Sequence, residues 1–112
     1  MIVRKIEEAA AMEPTEGGAS GVKMKILLGE PEGVPNFLLR HFRLEPGGRS
    51  PRHSHDWEHE VYILSGGGTV FAGGQEESLA SGMAVFIPPN EEHQFKAQDN
   101  KSLEFICIIP RK

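Results

Sequence analysis

Residues 47–67 of the chain read GGRSPRHSHDWEHEVYILSGG, and three of the five histidines lie within seven positions of this stretch. On an extended strand His53 and His55 share a face with their Cα atoms ~6.7 Å apart, so their imidazoles can converge on one ion through bonds of ~2.1 Å. A turn at Asp56-Trp57 would return His59 toward the same ion from the next strand. The stretch therefore predicts a metal site built on strands.

Two other interpretations of this histidine cluster stay open at the level of sequence. Three close histidines also occur in solvated polar loops. A helical zinc site would place His55 and His59 one turn apart, but the HExxH pattern is absent. A helix through Ser50-Pro51-Arg52 and residues 60–63 also has poor propensity.

Short apolar segments with regular glycine and proline punctuation lie on both sides of the cluster. The chain contains 13 Gly and 8 Pro, spread at intervals and not gathered in a linker. We expect about nine strands, covering residues 22–28, 36–44, 52–55, 60–64, 69–72, 76–79, 84–87, 93–96 and 103–109. The segments 45–48 and 66–68 are expected to end strands, and residues 7–12 to form one or two helical turns. This pattern predicts an all-β sandwich or barrel.

Length and composition exclude several classes of protein. A chain of 112 residues predicts one domain over 1–112, with an N-terminal arm (1–20) and a β-barrel (21–110). With 12 basic and 16 acidic residues, it lacks the basic face of a nucleic-acid-binding protein. No apolar run approaches the ~20 residues of a membrane span, and the first residues do not resemble a signal peptide. The single Cys107 favours a reducing compartment, so we expect a cytoplasmic protein without a membrane partner.

The spacing of particular residues resembles the two sequence motifs of the cupin superfamily. Gly47, His53-x-His55, Glu60 and Gly66-Gly67 match the first motif, and Gly82, Pro88 and His93 match the second. Fourteen residues separate Gly67 from Gly82, and the match covers about half of the chain. The chain departs from the pattern at Asn90, where the family usually has Gly, and at Ala97, where it usually has Asn. The resemblance implies a small double-stranded β-helix (jelly-roll) barrel.

The segment Trp57-Glu58-His59-Glu60 is similar to that of small single-domain cupins with an all-histidine metal site. This resemblance implies one divalent ion, manganese first and iron second, held by His53, His55, His59 and His93. It also implies a homodimer. Imidazole ligands suit zinc, copper, iron and nickel as well, so ligand type alone does not select manganese. Four ligands on an octahedral ion leave two positions open, as in a catalytic site.

His59 and Glu60 compete for one position in the ligand set. On an extended strand they point to opposite faces, so only one of them can reach the ion held by His53 and His55. With His59 inward, Val61 and Ile63 give an apolar pocket wall, and we favour this arrangement. The alternative places Glu60 inward and gives a ligand set of three histidines and one glutamate.

The pocket around the ion is predicted from strand alternation. Leu103, Phe105, Cys107 and Ile109 share an uncharged face of the last strand, so Phe105, Cys107 and Ile109 are candidates to wall the pocket or to pack in the core. Arg40 lies on the apolar face of its strand and is expected to bind a substrate carboxylate or to pair with a buried acid such as Glu60.

Two further aromatic side chains lie near the predicted site in sequence. His41 should face away from the other histidines, at the surface or in an interface. Trp57 should either cover the site or contact a dimer partner. The sequence does not decide between those two positions.

These features predict a mononuclear non-haem metal-dependent oxidoreductase, dioxygenase-like, that acts on a small organic molecule. The alternative is a non-catalytic module that binds or senses a small ligand beside a bound metal. The fold hosts both kinds of protein, so it does not select between them.

Overall fold

Eight antiparallel strands dominate the computed structural model, which describes residues 1–112. Three single turns of 3₁₀ helix lie at Ile6–Glu8, Glu16–Gly18 and Glu30–Glu32. The structure contains no helix with the length and apolar character needed to cross a membrane. The strands are β1 (Ala11–Met12), β2 (Ser20–Leu28), β3 (Phe37–Arg49), β4 (His59–Ala72), β5 (Gln75–Ala80), β6 (Ala84–Ile87), β7 (His93–Ala97) and β8 (Leu103–Pro110).

The strands pair in two arrays that share the long strands β3 and β4. In the first array, β2 pairs with β3, β3 with β8, β8 with β4, and β4 with β6. In the second, the end of β3 pairs with β7, and the second half of β4 pairs with β7 and β5. Two strands that pass from one array to the other close the sheet into a barrel. The predicted all-β double-stranded β-helix barrel is therefore confirmed.

The path of β4 differs from the expectation that Gly66–Gly68 would end a strand. The strand continues through the three glycines, and its partner changes from β8 to β5 and β7. Gly66 has φ +85°, and a Cβ there would collide with the Ser102 carbonyl oxygen. A Cβ at Gly68 would collide with the Lys96 carbonyl oxygen. The glycines thus allow a continuous strand to bend against close backbone neighbours.

Three other sequence expectations also need correction. Strand β3 continues past Leu44 to Arg49, with Gly47 at φ +76° where the strand bends between arrays. Residues 52–55 form no strand and contribute one isolated bridge, between His53 and His93. Residues 7–12 hold a single 3₁₀ turn followed by β1, because Ala11 and Met12 pair with β2.

The hydrophobic core fills the barrel between the two arrays. Leu44, Ile63, Ile87, Leu103 and Phe105 are at most 1% exposed. Phe105 stacks on Phe42 with ring centroids 5.0 Å apart and packs at a tilt against Phe95 with centroids 4.7 Å apart. The inward set predicted for β8 is correct, since Leu103, Phe105 and Cys107 are buried and alternate with less buried residues. This core supports the walls of a cavity that holds the histidines.

Candidate functional site

Four histidines from distant parts of the chain meet at one end of the cavity. His53, His55, His59 and His93 each bring one ring nitrogen within 4.8 Å of the others. Neighbouring rings have centroids 4.6–5.1 Å apart. Two backbone hydrogen bonds between His53 and His93, of 2.9 and 3.2 Å, join the loop before β4 to the start of β7. The structure thus gathers the four histidines that the resemblance implied as ligands.

Backbone carbonyls orient two of these rings. The Nδ1–H of His55 donates to the Trp57 carbonyl oxygen at 3.0 Å, and that of His93 donates to the Glu91 carbonyl oxygen at 2.9 Å. A carbonyl oxygen only accepts, so Nδ1 carries the proton in both rings. Their Nε2 atoms consequently carry no proton, which is the state in which an imidazole binds a metal.

His59 has a different set of neighbours. Its Nδ1 lies 3.2 Å from Arg40 Nη2 and 3.0 Å from Cys107 Sγ, and its Nε2 lies 2.8 Å from His55 Nε2. Arginine only donates, so His59 Nδ1 accepts from Arg40 while Nε2–H donates to His55. For Nε2 to bind a metal, the proton must sit on Nδ1 and donate to Cys107 Sγ.

Burial keeps three of the imidazoles, those of His53, His55 and His59, in the neutral form. Desolvation, followed by the charges of His93 and His55, lowers the pKa of His53 to about 4. Desolvation, followed by the charge of Arg40, lowers the pKa of His59 to about 2. Desolvation also lowers the pKa of His55. The rings therefore stay deprotonated well below the ordinary histidine range, as metal ligation requires.

The donor set fits a divalent metal ion. Bonds of ~2.1 Å place nitrogens on one ion at most ~4.2 Å apart, so the four ring nitrogens need only small movements to close on it. Neutral imidazoles suit zinc, copper, iron and nickel, while manganese more often takes oxygen ligands. The geometry thus supports a metal site and leaves the identity of the metal open.

A cavity of about 140 Å³ opens beside the histidines. Its wall includes the three residues singled out from the sequence, Arg40, Phe105 and Cys107. Ile109, the fourth candidate, packs against the core instead. Burial raises the pKa of the Cys107 thiol, so this group is a neutral neighbour of His59. A cavity of this size has room for a small organic molecule.

The structure distinguishes His59 from Glu60. His59 is 6% exposed and faces the cavity, whereas Glu60 is exposed on the opposite face of β4 beside Phe86 and Ile108. The favoured inward position of His59 agrees with this geometry. Arg40 makes no ion pair with Glu60, so that suggested pairing is wrong. The alternation of β3 and β4 places the two side chains on opposite sides of the sheet.

His41 and Trp57 lie on opposite sides of the barrel wall in their contacts with the site. His41 faces away from the site, but it is only 5% exposed and its Nε2 lies 2.6 Å from Glu104 Oε2, so the expected surface position is wrong. The neighbouring strand β8 supplies this acid and covers the ring. Trp57 stacks on His55 with centroids 4.0 Å apart and lines the cavity, so it covers the histidines.

Sequence reasoning missed seven residues of the cavity wall, which are Pro14, Glu16, Met24, Phe42, Ser50, Pro51 and Phe95. The alternation of β2 could have placed Met24 inward beside Val22. Pro14 and Glu16 lie in the arm before β2, where no periodic pattern indicates which residues fold over the barrel.

The fold and the histidine site together define a class of protein, and the chain belongs to the cupin family, whose cupin domain matches residues 40–109. The chain is 31% identical to an oxalate-binding protein of Thermotoga maritima over 97% of its own length and 93% of that protein's. It superposes on a polyketide cyclase from Streptomyces resistomycificus with a TM-score of 0.91 and 31% identity, covering 100% of this chain and 80% of that one.

A further relative matches only in part. It is a 1-methylthio-D-xylulose 5-phosphate methylsulfurylase of Rhodospirillum rubrum, 37% identical over 71 residues. The match covers 63% of this chain, and it spans less than half (46%) of that relative. The three relatives differ in function, so the similarity to them establishes a shared fold and no shared reaction.

Proposed function

We propose that this cupin is a mononuclear metal-dependent oxidoreductase, dioxygenase-like, that acts on a small organic molecule. Its ligands would be His53, His55, His59 and His93, with manganese as the first choice of metal and iron as the second. The observation that carries the proposal is the convergence of four imidazoles on one cavity, with their ring nitrogens within 4.8 Å of one another.

The ligand count supports catalysis over a purely structural role for the ion. Four protein ligands on an octahedral ion leave two adjacent or opposed positions for exogenous groups, whereas structural sites are closed by the protein. When bound, manganese or iron would supply Lewis acidity and one-electron redox chemistry toward dioxygen, which is the co-substrate of the proposed reaction.

The residues of the chain have separate tasks in this proposal. The carbonyls of Trp57 and Glu91 hold two imidazoles in the ligating tautomer. Phe42, Phe105 and the Trp57 ring form apolar wall around the cavity and restrict access of water. Restricted water strengthens every polar contact between a bound molecule and the site.

The proposal is tested on purified protein in two steps. Elemental analysis determines which metal is bound and how many ions each chain holds. Electron paramagnetic resonance then determines whether nitrogen atoms surround the ion. Oxygen uptake is then measured with a panel of small organic acids and phenols. We expect about one manganese or iron ion per chain and uptake with at least one panel member. A protein that holds only zinc and consumes no oxygen would contradict the oxidoreductase assignment.

A second candidate is a non-catalytic module that binds a small ligand beside the metal. The observation that favours it is the similarity, over nearly the whole chain, to a protein described by the ligand it binds, oxalate. Calorimetric titration with oxalate separates the two candidates. Tight binding with no consumption of oxalate or oxygen supports the module.

We also propose that the protein is a homodimer through the outer face of its first array. There the register places Phe86, Glu60, Ile108 and Leu39 in one row across four strands, and Tyr62 lies in the next row. Phe86 is 64% exposed and Tyr62 is 46% exposed. Neighbouring exposed apolar side chains mark an interaction surface, and a second copy presents the identical face. The single buried Cys107 supports cytoplasmic localisation.

A further inference from the structure

Arg40 is a cation without a counter-charge in the wall of the cavity. None of the seven ion pairs in the structure includes it. Its Nη2 contacts Cys107 Sγ at 3.0 Å and His59 Nδ1 at 3.2 Å, and its Nε is buried with no hydrogen-bond partner. A sulfur atom is a weak acceptor, so the protein satisfies this guanidinium poorly, and its buried Nε–H has no acceptor at all.

Metal loading makes Arg40 less satisfied still. When His59 binds an ion through Nε2, its Nδ1 carries the proton and can no longer accept from Arg40. Nη2 is then left with Cys107 Sγ as its only acceptor in the protein. The cationic guanidinium and a divalent ion would also face the same cavity, so that two positive charges would border it.

No acid in the cavity wall pairs with this positive charge, and its one aromatic contact is the face of the Phe42 ring, 5.0 Å from the guanidinium carbon. The four histidines are neutral ligands, and the one acid in the wall, Glu16, is an exposed residue of the arm with no ion pair to Arg40. The Glu16 carboxylate acts on His53 instead, where its charge opposes the lowering of the pKa. A charged group in a partly buried site requires either a partner from the protein or one from the ligand.

We propose that Arg40 selects the substrate class, and that the ligand of this cavity is a small organic carboxylate whose oxygens contact both Arg40 and the metal. The inference rests on the proposed metal site. A planar carboxylate matches the fork of donors on a guanidinium. The cavity volume of about 140 Å³ limits the ligand to a few heavy atoms beyond the carboxylate.

The test compares an anion with a neutral molecule of the same shape. Wild-type protein is loaded with manganese, its metal content is measured, and malonate and malonamide are titrated by calorimetry and by the change in the manganese resonance spectrum. We expect malonate to bind at least tenfold more tightly than malonamide. Inorganic phosphate serves as a tetrahedral anion and should bind more weakly than malonate.

Variants then assign the preference to Arg40. Arg40→Met keeps the length and apolar stem of the side chain, so it should keep the metal and lose at least tenfold in malonate affinity, with malonamide unchanged. Arg40→Lys should retain part of the preference for malonate, because it keeps the positive charge and loses the paired N–H donors of the guanidinium. Arg43→Met is the matched control, since Arg43 lies on the same strand with its side chain near Glu45 and Glu104.

Each outcome separates this inference from the metal proposal. Wild-type protein that binds manganese but shows no preference for malonate over malonamide overturns the role of Arg40 and leaves the metal site standing. An equal loss in Arg43→Met would assign the effect to overall charge and also overturn it. Wild-type protein that binds no metal overturns the proposed function, and with it the two-point contact on which this inference rests.

Discussion

His59 and Glu60 are adjacent residues with opposite surroundings, and they give the sharpest test of the ligand set. His59 faces three other imidazoles, whereas Glu60 is exposed on the outer face. We predict that His59→Ala removes most of the bound metal and that Glu60→Ala retains it, because only the first change deletes a ring nitrogen from the cluster. Metal content of the two purified variants is the measurement. Metal lost from Glu60→Ala and kept by His59→Ala would show that the wrong face was chosen.

The depressed histidine pKa values predict how stability depends on pH. The pKa of His53 is about 4 and that of His59 about 2 in the folded protein, against ~6.5 in an unfolded chain. Between these limits the unfolded state binds more protons, so the free energy of unfolding falls as pH falls. The contribution is complete above pH ~6.5 and decreases toward about pH 4 for His53 and about pH 2 for His59.

The measurement for this prediction is the melting temperature of chelator-treated protein from pH 7.5 to pH 5, where carboxylates contribute little. We expect a continuous decrease below pH ~6.5. The double variant His53→Gln, His59→Gln should show a flatter profile, since it lacks both shifted groups. Equal slopes for the two proteins would contradict the assignment of the effect to these rings.

At the scale of elements, β4 changes direction at Gly66–Gly68 without a turn, although three consecutive glycines predict that the strand ends there. It places His59 at its start in the first array and continues through three glycines into the second. Strand β3 does the same from Phe37 to Arg49 and presents Arg40 inward. The cavity thus depends on two strands that keep their hydrogen bonds while they bend.

This continuity predicts different costs for neighbouring glycines. A Cβ at Gly68 would collide with the rigid backbone oxygen of Lys96, whereas a Cβ at Gly67 meets only the Gln98 side chain, at 3.1 Å or more. Gly68→Ala should therefore lower the free energy of unfolding by about 2 kcal/mol or more, the range of overpacking in a core. Gly67→Ala should change it by well under half of that. Urea unfolding of both variants checks the difference, and equal costs would show that β4 adjusts freely at this point.

At the scale of the whole molecule, the barrel carries enough core to fold without a metal. Fourteen buried apolar residues form one cluster, unlike small zinc domains that are unfolded without their ion. We predict that chelation lowers the melting temperature and leaves a folded β protein, because a ligand of the native state adds stability by mass action. Circular dichroism of the stripped protein measures this. A random-coil spectrum would contradict it.

The proposed dimer can be tested by a single substitution on the outer face of the first array. Phe86→Glu places a charge on the outer face of the first array, on its edge strand β6, where Phe86 is 64% exposed in one chain. Light scattering after size exclusion should report a dimer for wild type and a monomer for the variant, with metal content unchanged. Ser78→Glu, on the exposed strand β5 away from this face, is the control and should remain dimeric. A wild-type monomer at micromolar concentration would overturn the proposal.

Much of the candidate site was accessible from sequence because its signals are local or periodic. His53-x-His55 and the alternation of β8 depend on neighbouring residues, and the spacing of His93 completes a family motif. Glu16 and Pro14 were missed because an arm without periodicity gives no indication of where it packs. His41 was placed at the surface because its cover, Glu104, comes from a strand 63 residues away.

By itself the sequence determined the fold class, the histidine ligand candidates and the inward faces of most strands, since alternation and motif spacing are properties of contiguous residues. Only the tertiary structure decided that Arg40 contacts Cys107 and His59, which lie 67 and 19 positions away, and that no acid pairs with it. It alone showed that β4 passes unbroken through Gly66–Gly68. The physical reason is that such contacts depend on strand register and on which backbone atoms come close, and neither is encoded in a single segment.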